Sequence, residues 1–275
     1  MRQPLFRIAL AATLLSAGAC ATLSEADLAT QGSYAALSAA VANPQRTPAN
    51  TARDQYRHPL ETLSFFGVEP NHTVVEIWPG GGWYTEILAP YLSASGTYYG
   101  AVPAGRATER FQAFVAANPS AYGKVRIATF PMSAGGTPVP AGTADVVLTF
   151  RNVHNWMGSE TAQSVAPEAF RQAYAMLKPG GVLGVVEHRL PESADTARER
   201  SSGYLKTSTV RRLAEGAGFR FAGASEVNAN PKDTADWPEG VWTLPPTLRL
   251  KEKDREKYLA IGESDRMTLK FVKPR

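Results

Sequence analysis

The residues best suited to acid–base chemistry lie directly after a hydrophobic run. Ala144–Phe150 reads ADVVLTF, and the polar segment RNVHNW follows it at 151–156. An imidazole ordinarily titrates near neutral pH, so His154 is the best candidate for a general base in this segment. In the alternative interpretation, His154 and Asn152 only hold the loop together by hydrogen bonds.

A second polar cluster, Glu187-His188-Arg189, ends another hydrophobic run. His188 and Glu187 are suited to a role as base or metal ligand. In the alternative, Arg189 pairs with Glu187 and caps the strand. If His154 and His188 both face inwards with Glu187 or Asp265 nearby, they could bind a metal ion. Because the spacing contains no local metal motif, we assign no metal ligand from the sequence.

A glycine-rich loop follows a third hydrophobic run, TVVEIWP at 73–79. Glu76 lies inside this run, and Gly80, Gly81 and Gly82 come after it. Glycines allow a tight turn and close approach of the backbone, and the start of the helix beyond offers free N–H groups. Ligands of open α/β sheets bind at the carboxyl ends of the strands, where this loop must lie. The loop therefore predicts a ligand site.

Four aromatic residues are expected around the same site: Trp78, Trp83, Tyr84 and Trp156. An aromatic-lined pocket suits a flat or cationic ligand. In the alternative, these bulky side chains simply fill the space.

The segment before the first strand carries Arg57 and His58, followed by Pro59 and Glu61. Together with Arg151, the first two residues could contact an anionic or polar substrate. In the alternative, the segment only begins a helix, with Pro59 in the first turn and Glu61 interacting favourably with the helix dipole.

These residues need a scaffold, and the chain alternates hydrophobic runs with helical segments. Near-continuous apolar strands that alternate with helices indicate a parallel sheet covered on both faces. We therefore predict an α/β fold with a doubly wound, mostly parallel sheet of seven strands. The strands are expected at Thr73–Pro79, Thr97–Val102, Val125–Phe130, Ala144–Phe150, Val182–His188, Phe219–Val227 and Met267–Val272. Helices are expected at Trp83–Leu92, Arg106–Asn118, Thr161–Leu177, Thr207–Ala217 and around Lys251–Lys257.

Composition narrows the class of protein. Of the 275 residues, 44% are hydrophobic and 20% are charged, which is typical of a globular chain and not of a disordered one. The net charge of +4 is too small to imply a nucleic-acid partner without a clustered patch. The single cysteine excludes an intrachain disulfide and any multi-cysteine metal site. We expect a small-molecule substrate and no nucleic-acid partner.

The first residues have the pattern of an export signal. Arg2 and Arg7 precede a short apolar run at 8–15, and small residues then lead to Cys20. This pattern predicts a signal peptide at 1–20, with Cys20 as the lipidated first residue of a bacterial lipoprotein. The alternative is soluble export, with cleavage after Ala19 or Ala21.

The signal divides the chain and predicts its location. We expect an exported protein, either in the periplasm or anchored to a membrane of a Gram-negative bacterium through Cys20. Residues 21–52 are predicted to be a tether or an N-terminal extension, and residues 53–275 a single domain.

The segments between about 60 and 273 together resemble class I S-adenosylmethionine (SAM)-dependent methyltransferases. The first motif of that family reads acid-x-Gly-x-Gly-x-Gly, and Glu76, Gly80 and Gly82 fall in register with it. The chain is most similar to a bacterial group of exported, predicted methyltransferases, which share stretches such as EIWPGGGWY at 76–84 and ESDRM at 263–267.

The resemblance implies a Rossmann-like methyltransferase fold and SAM-dependent methyl transfer to an unidentified small molecule. It implies cofactor contacts at Glu76, Trp78, Gly80, Gly81, Gly82, Val102 and Asn152. From the residue chemistry above, we expect catalytic roles for His154, His188 and Glu187, and substrate contacts for Arg57, His58, Trp83, Tyr84, Arg151 and Trp156.

The chain departs from the family pattern at Trp78, at Val102 and after the third strand, where Ala128-Thr129-Phe130 lacks the acid that often meets the adenine amine. Trp78 replaces the first glycine of the motif, and its indole is expected next to the methionine part of the cofactor. Val102 ends the second strand, where the family usually has an acid that accepts hydrogen bonds from both ribose hydroxyls, which valine cannot do. The sequence therefore leaves two hypotheses. The first is a SAM-dependent methyltransferase; the alternative is an exported SAM-independent enzyme, or a ligand- or metal-binding protein, on the same scaffold.

Overall fold

Eight β-strands form one sheet at the centre of the molecule. The computed structural model describes residues 25–158 and 163–275. The strands are β1 (Thr73–Ile77), β2 (Thr97–Val102), β3 (Arg126–Thr129), β4 (Ala144–Phe150), β5 (Leu177–Leu190), β6 (Leu205–Lys206), β7 (Arg220–Ser225) and β8 (Arg266–Val272).

Seven of these strands lie side by side in the order β3-β2-β1-β4-β5-β8-β7, and the short β6 pairs with the end of β5. All pairings among β1 to β6 are parallel, whereas β8 runs antiparallel to both β5 and β7. The predicted doubly wound, mostly parallel sheet of seven strands is therefore confirmed. The eighth strand, β6, has only two residues and leaves no hydrophobic run in the sequence.

Helices cover both faces of the sheet. Side chains alternate along a strand, so β2 sends Tyr98 and Val102 into one hydrophobic core and Tyr99 and Ala101 into the other. The helices are α1 (Glu25–Val41), α2 (Pro48–Thr51), α3 (Asp54–Arg57), α4 (Pro59–Phe66), α5 (Thr85–Leu92), α6 (Arg106–Ala117), α7 (Pro119–Tyr122), α8 (Val153–Trp156), α9 (Ala166–Met176), α10 (Thr207–Gly216) and α11 (Arg255–Ile261).

The segment 21–52 includes a packed helix. Helix α1 contacts α4 and α5, and Leu37 from α1 is buried in the same core as α5. Beyond this helix, the guanidinium of Arg46 is fully buried and pairs with Asp54 at 2.7 Å. From Glu25 onwards, this segment is thus an extension packed on the domain rather than a loose tether. Among the described residues, no helix is both long and apolar enough to cross a bilayer.

The segment between β7 and β8 contains little regular structure. We expected a helix around Lys251–Lys257, but α11 begins only at Arg255. Lys251 and Asp254 have left-handed backbone angles, with φ of 57° and 53°, which a helix cannot contain. The segment instead folds back over the carboxyl edge of the sheet and contributes to the cavity described below.

Candidate active site

A cavity of about 370 Å³ lies at the carboxyl edge of the sheet, where β1, β4 and β5 end. The chain connections change direction between β1 and β4, and ligands of such sheets bind at this switch point. The volume is that of a small-molecule site. Most of the residues predicted from the sequence line it: Arg57, Glu76, Trp78, Gly80, Gly81, Trp83, Tyr84, Arg151, Asn152, His154 and His188.

Five predicted positions do not line this cavity: His58, Gly82, Val102, Trp156 and Glu187. His58 is at the junction of α3 and α4, where its backbone is left-handed with φ of 39°. Trp156 is buried in the core. A Cβ at Gly82 would come within 2.4 Å of the Phe114 ring, so this glycine allows α6 to pack against the loop. Trp156 and Gly82 thus contribute to packing in this structure.

His154 and Glu187 form a hydrogen-bonded pair at the ends of β4 and β5. Nδ1 of His154 is 2.9 Å from Oε1 of Glu187, and the backbone N–H of His154 donates to Oε2 at 3.2 Å. Glu187 is fully buried. We assign the Nδ1 hydrogen to the bond with Glu187, which leaves Nε2 of His154 as a proton acceptor. This is the arrangement of a general base held by a carboxylate.

His188 is a buried neighbour of this pair. Its ring lies 5.3 Å from that of His154, and its Nδ1 is 2.5 Å from the hydroxyl of Ser264. Burial and the nearby His154 lower the pKa of His188 well below its usual value, so the ring is neutral at physiological pH. Arg189 does not cap Glu187 as the alternative supposed, because it pairs with Asp265 at 2.8 Å.

The same three residues could be considered as metal ligands. Candidate ligand atoms of His154, Glu187 and His188 lie within 4.8 Å of one another. However, guanidinium groups such as those of Arg57 and Arg151 line the same cavity and would repel a divalent cation. We therefore interpret this group as acid–base machinery rather than a metal site.

Glu76 is buried beneath the glycine loop. Its carboxyl group accepts a hydrogen bond from the hydroxyl of Tyr98 at 2.5 Å, with Thr85 at 3.5 Å. Burial raises the pKa of Glu76 to about 7, although the hydrogen bonds from Tyr98 and Thr85 and the charge of Arg57 act in the opposite direction. Near neutral pH, this side chain is therefore divided between its protonated and ionised forms.

Glu76→Gln should remove a pH-dependent loss of stability. A carboxyl group whose pKa rises from 4.5 to about 7 on folding favours the folded state at low pH, and this contribution disappears as the pH rises through 7. Relative to the variant, the wild type should lose up to ~3 kcal/mol of unfolding free energy between about pH 5 and pH 8. Urea denaturation across this range measures the difference. The exposed Glu61→Gln is the control, and parallel curves for wild type and Glu76→Gln would contradict the prediction.

Trp78 closes the cavity on the side of β2 and β3. Its φ of 53° is left-handed, its indole N–H donates to the carbonyl of Phe130 at 2.8 Å, and its ring meets Trp156 edge-on. Because β2 lies between β1 and β3, the indole crosses the carboxyl end of β2. The indole thus points towards the end of β3. A separate depression beyond β2 and β3 is lined by residues that include Gly105, Thr129 and Gly136.

Val102 has a packing role. It is 3% exposed and lies in the core formed with α5 and α6, away from the cavity. None of the described residues of β2 or β3 lines the cavity. Among the described residues, β2 and β3 thus contribute no carboxylate to the lining of the cavity.

The aromatic residues offer few free ring faces. The guanidinium of Arg57 lies over the ring of Trp83 at 4.6 Å, and that of Arg46 lies at 5.2 Å. Tyr84 stacks on Phe150 with ring centroids 3.6 Å apart. Cationic side chains of the protein therefore already occupy the ring of Trp83.

Four arginines, which we call the arginine cluster, line the cavity around Glu263: Arg53, Arg57, Arg151 and Arg266. Glu263 pairs with Arg53 at 2.5 Å, with Arg57 at 3.4 Å and also with Arg266. Burial raises the pKa of Glu263, but the charges of Arg266, Arg57 and Arg53 outweigh it and lower the pKa to about 2. Glu263 is thus ionised throughout the physiological range.

Sequence reasoning missed several residues of this site. Arg53, Glu263 and Arg266 join it because β8 pairs antiparallel with β5, which sets Arg266 opposite His188. For Glu263 and Arg266, the only indication in the sequence was the stretch ESDRM, which resembles the related methyltransferase group. Trp242, from the segment before β8, also lines the cavity, with its ring 6.2 Å from that of His154.

The sheet order, the glycine loop after β1 and the antiparallel β8 between β5 and β7 define the class I SAM-dependent methyltransferase fold. Solved structures agree. A SAM-dependent methyltransferase from Aquifex aeolicus matches with a TM-score of 0.54 over 81% of this chain and 93% of its own, at 15% identity. The (4+2)-cyclase SpnF matches with a TM-score of 0.52 over 90% and 95%, at 14% identity. No protein-family model and no curated protein sequence matches the chain. The predicted fold is confirmed.

The cavity fits the amino-acid half of SAM. A Cβ built on Gly80 or Gly81 would meet no atom within 4 Å, so the loop presents open backbone to a ligand. Glu76 lines the cavity beside the loop, and the amide of Asn152 donates to the carbonyl of Ile77 at 2.9 Å, which holds β4 to β1. The indole of Trp78 lies beside this loop and is held by its hydrogen bond to the carbonyl of Phe130.

Proposed function

We propose that this protein is a SAM-dependent methyltransferase that acts on a small molecule. The observation that carries the proposal is the hydrogen-bonded pair of His154 and Glu187, whose imidazole shares one cavity with the glycine loop at 80–82. A general base and a loop open to a cofactor are the two parts that methyl transfer to a protonated nucleophile needs. The neighbouring solved structure from Aquifex aeolicus, described as a SAM-dependent methyltransferase, supports the assignment.

In this proposal, SAM supplies the methyl group when bound, and the chain positions the nucleophile and removes its proton. Gly80, Gly81 and Glu76 would hold the amino-acid half of SAM. His154 accepts the proton at Nε2, and Glu187 stabilises the imidazolium that forms. Trp242 lines the cavity with its ring 6.2 Å from that of His154 and would lower the polarity around the base.

Calorimetric titration with SAM and with its demethylated product tests the proposal directly. Binding tighter than millimolar is expected, and it should be lost in Gly80→Val. Gly80 has a φ of 59° and faces the cavity, so a β-branched residue would both strain the loop and fill the ligand space. Circular dichroism establishes that the variant is folded. Failure of SAM to bind at millimolar concentration, both to the wild type and to a variant without the Trp78 side chain, would overturn the proposal.

His154→Ala should reduce methyl transfer by about 10²–10⁴-fold without weakening SAM binding, because the base is lost while the cofactor contacts remain. Glu187→Gln should also slow transfer, because the amide cannot stabilise an imidazolium. The assay follows labelled methyl groups from SAM into a panel of small carboxylates and phosphate esters. His72→Gln, a histidine outside the cavity, is the matched control. Equal rates for His154→Ala and the control would remove His154 from the mechanism.

A second candidate function is SAM-independent chemistry at the same base. It is favoured by Trp78, which covers the end of β2, and by Val102, which lies where the family has its ribose acid. SpnF, described as a (4+2)-cyclase, has the same fold. Absence of SAM binding after removal of the Trp78 side chain would favour this candidate.

We also propose that the protein is exported and anchored through Cys20. Residues 1–20 lie outside the described residues, so the support is the sequence pattern alone. The intact mass of the protein from the membrane fraction of an expressing bacterium tests this. A diacylglyceryl group on Cys20 is expected. A free N-terminus after Ala19 or Ala21 would indicate soluble export, and an unprocessed chain in the cytosol would contradict both forms.

A further inference from the structure

The arginine cluster carries more positive charge than the protein itself neutralises. Of the described residues that line the cavity, four are arginines and two are acids, Glu76 and Glu263. Glu76 has a pKa of about 7 and is only partly ionised at neutral pH. Glu263 is ionised and contacts three of the four guanidinium groups. The cluster therefore keeps a clear surplus of positive charge inside a partly enclosed space.

Several nitrogen atoms of the cluster have no hydrogen-bond partner among the described residues. They are Nη2 of Arg53, Nη2 of Arg57 and Nε of Arg266. Arg57 and Arg266 are only 3% and 2% exposed, so water cannot fully compensate. A buried charged donor without an acceptor is destabilising, because it has lost its hydration without gaining a hydrogen bond. Such donors persist in a fold when a ligand supplies the acceptor.

The arginines also repel one another. Burial and the charge of Arg151 lower the pKa of Arg57, and burial and the charge of Arg266 lower the pKa of Arg151. Four like charges gathered at one cavity are unfavourable in the free protein, and a bound anion would relieve this repulsion. Guanidinium groups also match the geometry of carboxylate and phosphate oxygens, with which they form paired hydrogen bonds.

We infer that the cavity binds a small, multiply charged anion that carries carboxylate or phosphate groups, with its oxygens on the arginine cluster beside Glu263. That this anion is the substrate of a methyltransferase rests on the proposed function. That the cavity binds an anion rests on the arginine cluster alone. His154 follows Arg151 closely in the chain and lines the same cavity, so an anion anchored on the cluster would present its remaining groups to the base. The volume of about 370 Å³ limits the ligand to a small molecule.

Calorimetric titration of the protein without SAM, using inorganic phosphate and citrate as probes, tests the anion site. Binding tighter than millimolar is expected for at least one probe. Tighter binding of phosphate would indicate a phosphate ester as the natural ligand, and tighter binding of citrate a polycarboxylate. Arg151→Gln and Arg53→Gln should each weaken binding at least about tenfold, because each removes a charge-assisted hydrogen bond.

Arg171→Gln is the matched control, because this arginine is exposed on α9 and pairs only with the exposed Glu168 among the described residues. Its anion affinity should equal that of the wild type. Arg53 is partly exposed, so its variant keeps the test valid if Arg151→Gln does not fold. Absence of binding at millimolar probe, or equal weakening in Arg171→Gln and the cluster variants, would overturn the inference. Anion binding with no SAM binding to either the wild type or the variant without the Trp78 side chain would overturn the proposed function and leave the anion site standing. SAM binding without anion binding would overturn the anion site and leave the proposed function standing.

Discussion

Replacing Trp78 with glycine should tighten SAM binding at least about tenfold, equivalent to about 1.4 kcal/mol. The indole crosses the end of β2 and is hydrogen-bonded to Phe130, so a ligand that extends from the glycine loop towards β3 must first displace it. Glycine removes this barrier and also suits the left-handed backbone at position 78. The cavity and the depression beyond β2 and β3 would then join. Calorimetry with SAM measures the change.

Trp237→Phe is the control for this experiment. Trp237 packs in a small separate cluster and does not line the cavity, so its variant should bind SAM as the wild type does. Trp78→Gly also loses buried aromatic surface and is expected to be somewhat less stable, which is measured separately by urea denaturation. A folded Trp78→Gly variant with unchanged or weaker affinity for SAM would show that the indole does not obstruct the cofactor.

Replacing Glu263 with glutamine should destabilise the protein by about 3–5 kcal/mol. Glutamine keeps the size of the side chain but removes the charge that compensates Arg53, Arg57 and Arg266. The pKa of Glu263 in the folded protein is about 2, below its ordinary value of 4.5. This contribution to stability is therefore complete above about pH 5 and is lost as the pH falls towards 2. The free energy of unfolding in urea at neutral pH measures the effect.

Glu226→Gln is the matched control, since Glu226 is exposed and pairs with Arg189 at the surface. A surface pair contributes about 0–1 kcal/mol, so this variant should stay close to the wild type. Phosphate should stabilise Glu263→Gln more than it stabilises the wild type, because the anion can take the place of the missing carboxylate. A Glu263→Gln variant as stable as the control would contradict the role of Glu263 as counter-ion.

The fold was predictable because its strongest signals are local. β2 and β4 begin and end at the residues that their hydrophobic runs predict. β5 extends beyond its predicted bounds of Val182–His188, to Leu177–Leu190, because its ends carry turn and polar residues that read as loop but still pair with neighbouring strands. The late start of α11 depends on left-handed backbone at Asp254, which no periodicity reveals.

The candidate site was predictable only in part. His154 follows β4 and Glu187 lies near the end of β5, its parallel neighbour, so their proximity could be inferred from the order of the sheet. Arg53 and Glu263 are 210 positions apart and meet through the antiparallel pairing of β8, which the sequence does not specify. The direction of the Trp78 indole depends on a single backbone angle, and the packing of Val102 depends on helices from elsewhere in the chain.

The position of β8 has a consequence for the order of folding. β7 is hydrogen-bonded only to β8 among the described strands, although it is synthesised some 40 residues earlier. During synthesis, β7 must therefore wait without a partner until β8 inserts between it and β5. Pairings over such sequence separations form late and slowly. The same insertion delivers Glu263 and Arg266, so a nascent chain that lacks β8 has an unpaired β7 and an arginine cluster without its carboxylate counter-ion.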